Sequence, residues 1–170
     1  MALIIEDGTG VLNADSYVTV AECEAFAVKY FGESLAGSAK AKEAALRRAA
    51  LFMDSLPWKG HRTFGRNQGL AWPRKDVTDG EGQEISEGEI PEEVKNAQHI
   101  FARAEFQNPG ILAPTVTLSD KKTLIEVKGI KWQPRASPNT IEAARPVVTQ
   151  AIDIVQGLLK QAEPKFLLRA

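Results

Sequence analysis

The side chains best suited to chemistry are few in this chain and lie far apart. There are two histidines, His61 and His99, and a single cysteine, Cys23. Neither histidine has a cysteine or carboxylate at the spacing that a zinc site needs, so we expect surface histidines and no metal. Cys23 falls on the apolar face of a predicted helix, where we expect a buried and unreactive thiol.

Two other stretches have a composition that could bind calcium or phosphate, but neither fits the motif that such a site needs. The acidic segment 76–93 has Thr78 and Gly80 where a calcium loop of the EF-hand type needs oxygen-rich side chains. The glycines from Gly65 to Gly82 are not followed by the Gly-Lys-Ser/Thr of a phosphate loop. No serine stands in a nucleophile-elbow motif. The sequence therefore predicts a protein that is not an enzyme and has no cofactor.

Aromatic and basic side chains alternate between residues 57 and 75. They are Trp58, Lys59, His61, Arg62, Phe64, Arg66, Trp72, Arg74 and Lys75. Proteins that bind single-stranded nucleic acid stack bases on aromatic rings beside such cations. We favour the other interpretation, in which the aromatic rings pack against the core and the cations are solvated or paired.

The favoured interpretation gives the residues of this segment two different roles. Trp58 and Trp72 would hold the loop in place on the helices. The basic residues would be candidate contacts to DNA or to another subunit, and they are Lys59, Arg62, Arg66, Arg74 and Lys75.

Charge is balanced over the chain but strongly segregated within it. The net charge is −1, from 21 basic and 22 acidic side chains, which argues mildly against a dedicated nucleic-acid binder. Residues 40–75 hold nine basic and two acidic side chains, a net +7, whereas 76–93 hold eight acidic side chains and no basic one. These two segments can pair within one chain or between copies in an oligomer.

Hydrophobic spacing and capping signals predict four helices. Thr19 and Glu22 have the spacing of a capping box, and Gly32 is a natural helix end. The later helices are expected from near Ser38 to about Leu56, from Pro91 to Asn108, and from near Pro146 to Leu159.

The remaining segments complete the predicted fold. Residues 57–90 lack helical periodicity but carry too much aromatic area for a linker, so we expect a long ordered loop. Alternation in 116–118 and 124–132, with a polar turn between them, predicts a β-hairpin. The fold class is therefore mainly α: a small helical bundle with an inserted β-hairpin and a long ordered loop.

The length of 170 residues is typical of one domain. We assign residues 1–159 to a single helical domain and 160–170 to a C-terminal arm with the apolar run Phe166, Leu167 and Leu168, followed by Arg169. One cysteine suits a reducing cytoplasm, and no apolar run approaches the ~20 residues that span a bilayer, so no membrane partner is expected.

Several short motifs occur in a characteristic order along the first two thirds of the chain. They are Asn13-Ala14-Asp15-Ser16-Tyr17-Val18 before the Thr19 cap, Trp58-Lys59-Gly60 through Arg62 and Thr63, Gln68 and Leu70 before Ala71-Trp72-Pro73-Arg74, and Ile90-Pro91. This pattern, over roughly residues 5–107, resembles the head–tail connector adaptors of tailed bacteriophages. Members of that family are often labelled DnaT-like single-stranded DNA-binding proteins.

The resemblance implies a virion structural protein of the phage neck, made in the host cytoplasm. Such an adaptor forms a homo-oligomeric ring of about twelve copies beneath the portal, binds the next connector or tail protein below, and surrounds packaged DNA. It further implies that the arm, with Phe166, Leu167, Leu168 and Arg169, binds the portal. The alternative is a DnaT-like single-strand binder in replication, and a third possibility is a host interaction domain unrelated to phage.

Overall fold

The computed structural model describes residues 2–113 and 148–160. The hairpin predicted within 116–132, the predicted helix start at Pro146, and the arm residues Phe166, Leu167, Leu168 and Arg169 lie outside these ranges.

Helices dominate the described residues, which confirms the predicted fold class. They are α1 (Val20–Phe31), α2 (Ala39–Asp54), α3 (Glu92–Gln107) and α4 (Thr149–Val155), the last continued by a 3-10 turn, Gln156–Leu158. The loop between α2 and α3 contains an antiparallel pair of short strands, β1 (His61–Arg62) and β2 (Arg74–Lys75), which pair His61 with Lys75 and Arg62 with Arg74.

The ends of the helices lie where the capping signals predicted them. At α1 the Thr19 amide donates to the Glu22 carboxylate at 2.6 Å, and the Glu22 amide donates to the Thr19 hydroxyl at 3.2 Å. Gly32 ends the helix in the left-handed conformation, with φ 73°. At α2 the Ser38 side chain accepts from the Ala41 amide. Local hydrogen bonding thus fixes where both helices begin.

α3 lies at the centre of the bundle. It packs on α2 and on α4, and α1 contacts both α2 and α3. The Phe52 ring of α2 and the Phe101 ring of α3 lie 4.9 Å apart in an edge-on contact, and α2 also buries the small side chains of Ala45 and Ala49. Small residues let the two backbones approach closely, and this pair of helices is the support on which the loop packs.

Residues of every described helix join one hydrophobic core, and buried residues of the long loop belong to it as well. The aromatic side chain of Tyr30, near the end of α1, stays outside this core: it is 58% exposed, although its ring contacts Phe26 at 4.4 Å between centroids. Among residues 2–113 and 148–160, no helix is long and apolar enough to cross a membrane.

Candidate nucleic-acid interface

The long loop is held against the helices by two buried indoles. Trp58 and Trp72 are 3% and 0% exposed, and their rings meet edge to face with centroids 5.7 Å apart. Trp58 Nε1 donates to the carbonyl of Met53 at 2.8 Å, near the end of α2. The predicted burial of both tryptophans is therefore confirmed, and neither ring is available to stack on a base.

The backbone around Trp72 is anchored by two polar side chains, one buried and one half-buried. The Tyr17 hydroxyl accepts from the Trp72 amide at 3.1 Å, and the Asp54 carboxylate accepts from the Ala71 amide at 2.7 Å. Burial raises the pKa of Tyr17 and also that of Asp54. The segment before α1 and the last residue of α2 thus fix the same short stretch of loop.

Arg74 lies inside the loop and does not point to a partner. Its guanidinium donates to three main-chain carbonyls, from Nε to Lys59 at 2.6 Å, from Nη1 to Ala71 at 3.1 Å and from Nη2 to Gly60 at 2.8 Å. Burial lowers its pKa. Three donors matched to three carbonyls give Arg74 a structural role in the loop, and its assignment as a possible DNA or subunit contact stays a prediction.

Lys59 is also directed inward. Its Nζ donates to the carbonyl of Gly157 at 2.5 Å and to that of Thr78 at 3.3 Å. Its amide donates to the carbonyl of Leu158 at 3.0 Å. Lys59 therefore joins the loop to the turn after α4, and its assignment as a possible DNA or subunit contact likewise stays a prediction.

The glycine of the Trp58-Lys59-Gly60 motif has a steric explanation. Gly60 has φ 61°, and an added Cβ would lie 2.2 Å from the carbonyl oxygen of Lys75. Only glycine combines this backbone conformation with so close an approach. It allows β1 and β2 to pair and places the Gly60 carbonyl within reach of Arg74.

Arg66 and Lys75 are the candidate cations left at the surface of the loop, Arg66 exposed and Lys75 half-buried. Arg62 pairs with Arg74 across the two strands and Lys75 pairs with His61, so Arg62 and Lys75 lie on opposite sides of the β1–β2 pair. Phe64, two residues before Arg66, has a side chain that is 45% exposed. We call Phe64, Arg66 and Lys75 the outer loop face. It is the only aromatic and basic surface that the structure leaves from the predicted group, within the described ranges.

The acidic segment pairs little with the basic one. Of the ion pairs in the described parts of the chain, only His61 with Asp76, at 3.5 Å, joins 76–93 to 40–75. The cations of α2 bind acids elsewhere: Lys42 pairs with Glu24, Arg47 with Asp15 and Glu43, and Arg48 with Glu105. Most carboxylates of 76–93 are thus exposed and free to meet another molecule; they include Glu81, Glu84, Glu87, Glu89 and Glu93.

The histidines and the cysteine do not form a site. No group of metal-binding side chains occurs in the described residues. Cys23 is buried, as predicted, and burial raises its pKa to about 11. His61 is exposed, but the expectation of a surface histidine is wrong for His99, which is 7% exposed and stacks on Phe26 at 4.6 Å. Its helix is packed on several sides, so a polar residue there is enclosed.

The buried His99 should make stability depend on pH. Burial lowers its pKa from 6.5 to about 4, against the opposing effect of Glu22 and Glu92. Between these values the unfolded chain binds a proton that the folded chain does not, so the free energy of unfolding should fall as pH drops from 6.5 to 4. We expect a loss of roughly 1–3 kcal/mol.

Urea unfolding of His99→Phe at several pH values measures this component. The free energy of unfolding of His99→Phe should fall less steeply with pH than that of the unsubstituted chain. His61→Phe, at an exposed position, should behave like the unsubstituted chain. An equal fall in the free energy of unfolding of the unsubstituted chain and of both variants would assign the pH dependence to carboxylates.

The fold and this surface define a class: a mainly α-helical domain carrying a rigid loop whose outer face is aromatic and basic. Comparison with known families makes the assignment specific. The family described as "Putative DnaT-like ssDNA binding protein" matches residues 1–170, and the chain belongs to it. No curated protein and no solved structure matches the chain.

Proposed function

We propose that the chain is a non-catalytic protein that binds single-stranded DNA weakly through its outer loop face. The observation that carries this proposal is the exposed Phe64 ring, two residues before the exposed Arg66. An exposed ring near a cation offers one base a stacking surface and its phosphates a counter-charge. The description of the family supports the same function.

The geometry also limits the strength of such binding. Trp58 and Trp72 are buried, and Lys59 and Arg74 bind internal carbonyls. Arg62 lies on the same side of the strand pair as Arg74, so one aromatic ring and two cations remain on the outer loop face. A net charge of −1 adds little long-range attraction. Binding to this face would be nonspecific in sequence and would weaken steeply with salt.

Anisotropy of a labelled oligo-dT, titrated at low and at moderate salt, tests the proposal. Phe64→Ala should weaken binding roughly fivefold or more, the usual consequence of losing one stacked base. Arg66→Gln should weaken it and also reduce its salt dependence. Lys40→Gln, at an exposed position at the start of α2, is the control and should change little. Salt-resistant binding that is insensitive to both loop variants would refute this interface.

A second function is favoured by the motifs that resemble the phage connector adaptors. We propose as the alternative that the chain is a structural adaptor of the phage neck, in a ring of about twelve copies between the portal and the next connector or tail protein. The exposed carboxylates of 76–93 support it, because they and the outer loop face are complementary surfaces that copies in a ring would bring together. Packaged DNA would pass through the lumen.

Native mass spectrometry, with and without a portal ring, separates the two functions. An adaptor should attach to the portal in multiple copies, and the attachment should be independent of oligonucleotide. A single-strand binder should ignore the portal and gain mass only with the oligonucleotide. The portal contacts assigned to Phe166, Leu167, Leu168 and Arg169 stay a prediction, since these residues lie outside the described ranges.

A further inference from the structure

An apolar groove lies between the end of α2 and the turn that follows α3. Its volume is about 260 Å³, and Leu51, Phe52, Leu112 and Ala113 line it. Leu51 is 72% exposed, the highest value among the large apolar residues of the described ranges. An apolar groove that is open to solvent is a candidate docking site for apolar side chains.

The walls of the groove are fixed in place. The Glu105 carboxylate, 0% exposed, accepts from Arg48 Nε at 2.6 Å and from the amides of Gly110 at 2.5 Å and Leu112 at 3.2 Å. The turn after α3 is therefore tied to its helix and to α2. Because Arg48 and Glu105 neutralise each other, the described residues that line the groove carry no unpaired charge and suit apolar side chains.

The described chain ends close to this groove. The Lys160 amide donates to the carbonyl of Pro57 at 2.8 Å, and Ser55, two residues before that proline, also lines the groove. The ten residues 161–170 follow Lys160 and can reach roughly 33–36 Å when extended. The C-terminal part of this segment, which is six or more residues beyond Lys160, can therefore reach the groove from the point where Lys160 is fixed.

We propose that the groove binds the apolar run Phe166–Leu168 of the same chain. This run is the apolar part of 161–170, and Lys165 and Arg169 on either side can keep their charges in solvent. Burying the run would also cover the exposed face of Leu51. The proposal does not depend on DNA binding, and it opposes a free portal-binding arm, since a run held in the groove is not available to a partner.

The coupling between Leu51 and the segment provides the first test. In the full chain, Leu51→Ser should lower the melting temperature by roughly 3–6 °C, because it removes part of the apolar contact. After deletion of 164–170 the same substitution should have almost no effect, since Leu51 is then a surface leucine. Leu12→Ser, at a position 65% exposed, is the matched control. It should change the melting temperature by the same small amount in the full chain and in the deletion variant. An equal effect of Leu51→Ser in both backgrounds overturns the proposal.

Crosslinking identifies the occupant directly. The pair Leu51→Cys and Leu167→Cys should form an intramolecular disulfide under mild oxidation, while Leu12→Cys with Leu167→Cys should not; Cys23 is buried and should not interfere. Disulfide-linked dimers would assign the groove to a second copy and overturn binding within one chain. If the folded chain did not form the crosslink, the proposal would also be overturned. Residues 114–147 would then be the remaining candidate occupant of the groove.

Discussion

Replacing Trp72 with alanine should lower the free energy of unfolding by about 3–5 kcal/mol, as for other buried aromatic residues. The side chain is 0% exposed and meets Trp58 edge to face at 5.7 Å. Its Nε1 makes no hydrogen bond in the described part of the chain, so the loss comes from packing. Urea unfolding monitored by far-UV circular dichroism measures the change.

Phe64→Ala is the matched control for this experiment. Phe64 lies in the same loop but is 45% exposed, so its removal should cost much less stability. The two variants thus separate packing from binding: Trp72→Ala should unfold more easily, and Phe64→Ala should bind oligo-dT less well. If Trp72→Ala kept its stability and lost only DNA binding, the indole would be a binding residue and the loop would be held by other contacts.

Local signals in the sequence predicted the helices well because each helix end is fixed by nearby residues. Thr19, Ser38 and Gly32 act within one turn of their own helices, so their types and spacing were sufficient. The burial of Trp58 and Trp72 followed from size, since so much apolar ring area is costly to leave in water.

The division of the loop cations was not predictable in the same way. Arg74 and Arg66 differ in role because carbonyls of Lys59 and Gly60, brought close by the β1–β2 pair, surround only Arg74. Lys59 binds Gly157, 98 positions further along the chain, and no local pattern reports such a contact. The two-residue strands are also too short to show alternation.

The prediction that His99 lies at the surface is wrong for a related reason. A single histidine among apolar residues of a helix has the same local pattern whether it faces solvent or another helix. Its burial depends on α1, whose Phe26 ring stacks on the imidazole. Packing between distant elements decided the outcome, as it did for Lys59.

Two of the motifs that resemble the phage adaptors, the one before α1 and the one around Trp72, meet in space. Ser16 and Tyr17, from the motif before α1, contact Gln98 of α3, and Tyr17 also accepts from the amide of Trp72 in the loop motif. The motifs thus build one buried polar junction between the N-terminal segment, α2, α3 and the loop. Its integrity is independent of whether the outer loop face binds DNA or another subunit.

Replacing Gln98 at the centre of this junction with methionine should lower the free energy of unfolding by about 2–4 kcal/mol. The side chain is 0% exposed; its Oε1 accepts from the Tyr17 amide at 2.9 Å, and its Nε2 donates to the Ser16 hydroxyl at 2.9 Å and to the Leu46 carbonyl at 3.1 Å. Methionine fills a similar volume but leaves the buried Tyr17 amide without an acceptor. Desolvating an unpaired amide costs more than the hydrogen bond itself contributes.

Gln107→Met, at the exposed end of the same helix, controls for the change of residue type and should alter stability by no more than about 0.5 kcal/mol. Urea midpoints and m-values of both variants measure the difference. An unchanged m-value with a lower midpoint for Gln98→Met would show that the junction stabilises the native state without changing the surface exposed on unfolding. A midpoint equal to that of the control would mean that Tyr17 finds another acceptor, and that the junction between the motifs does not depend on Gln98.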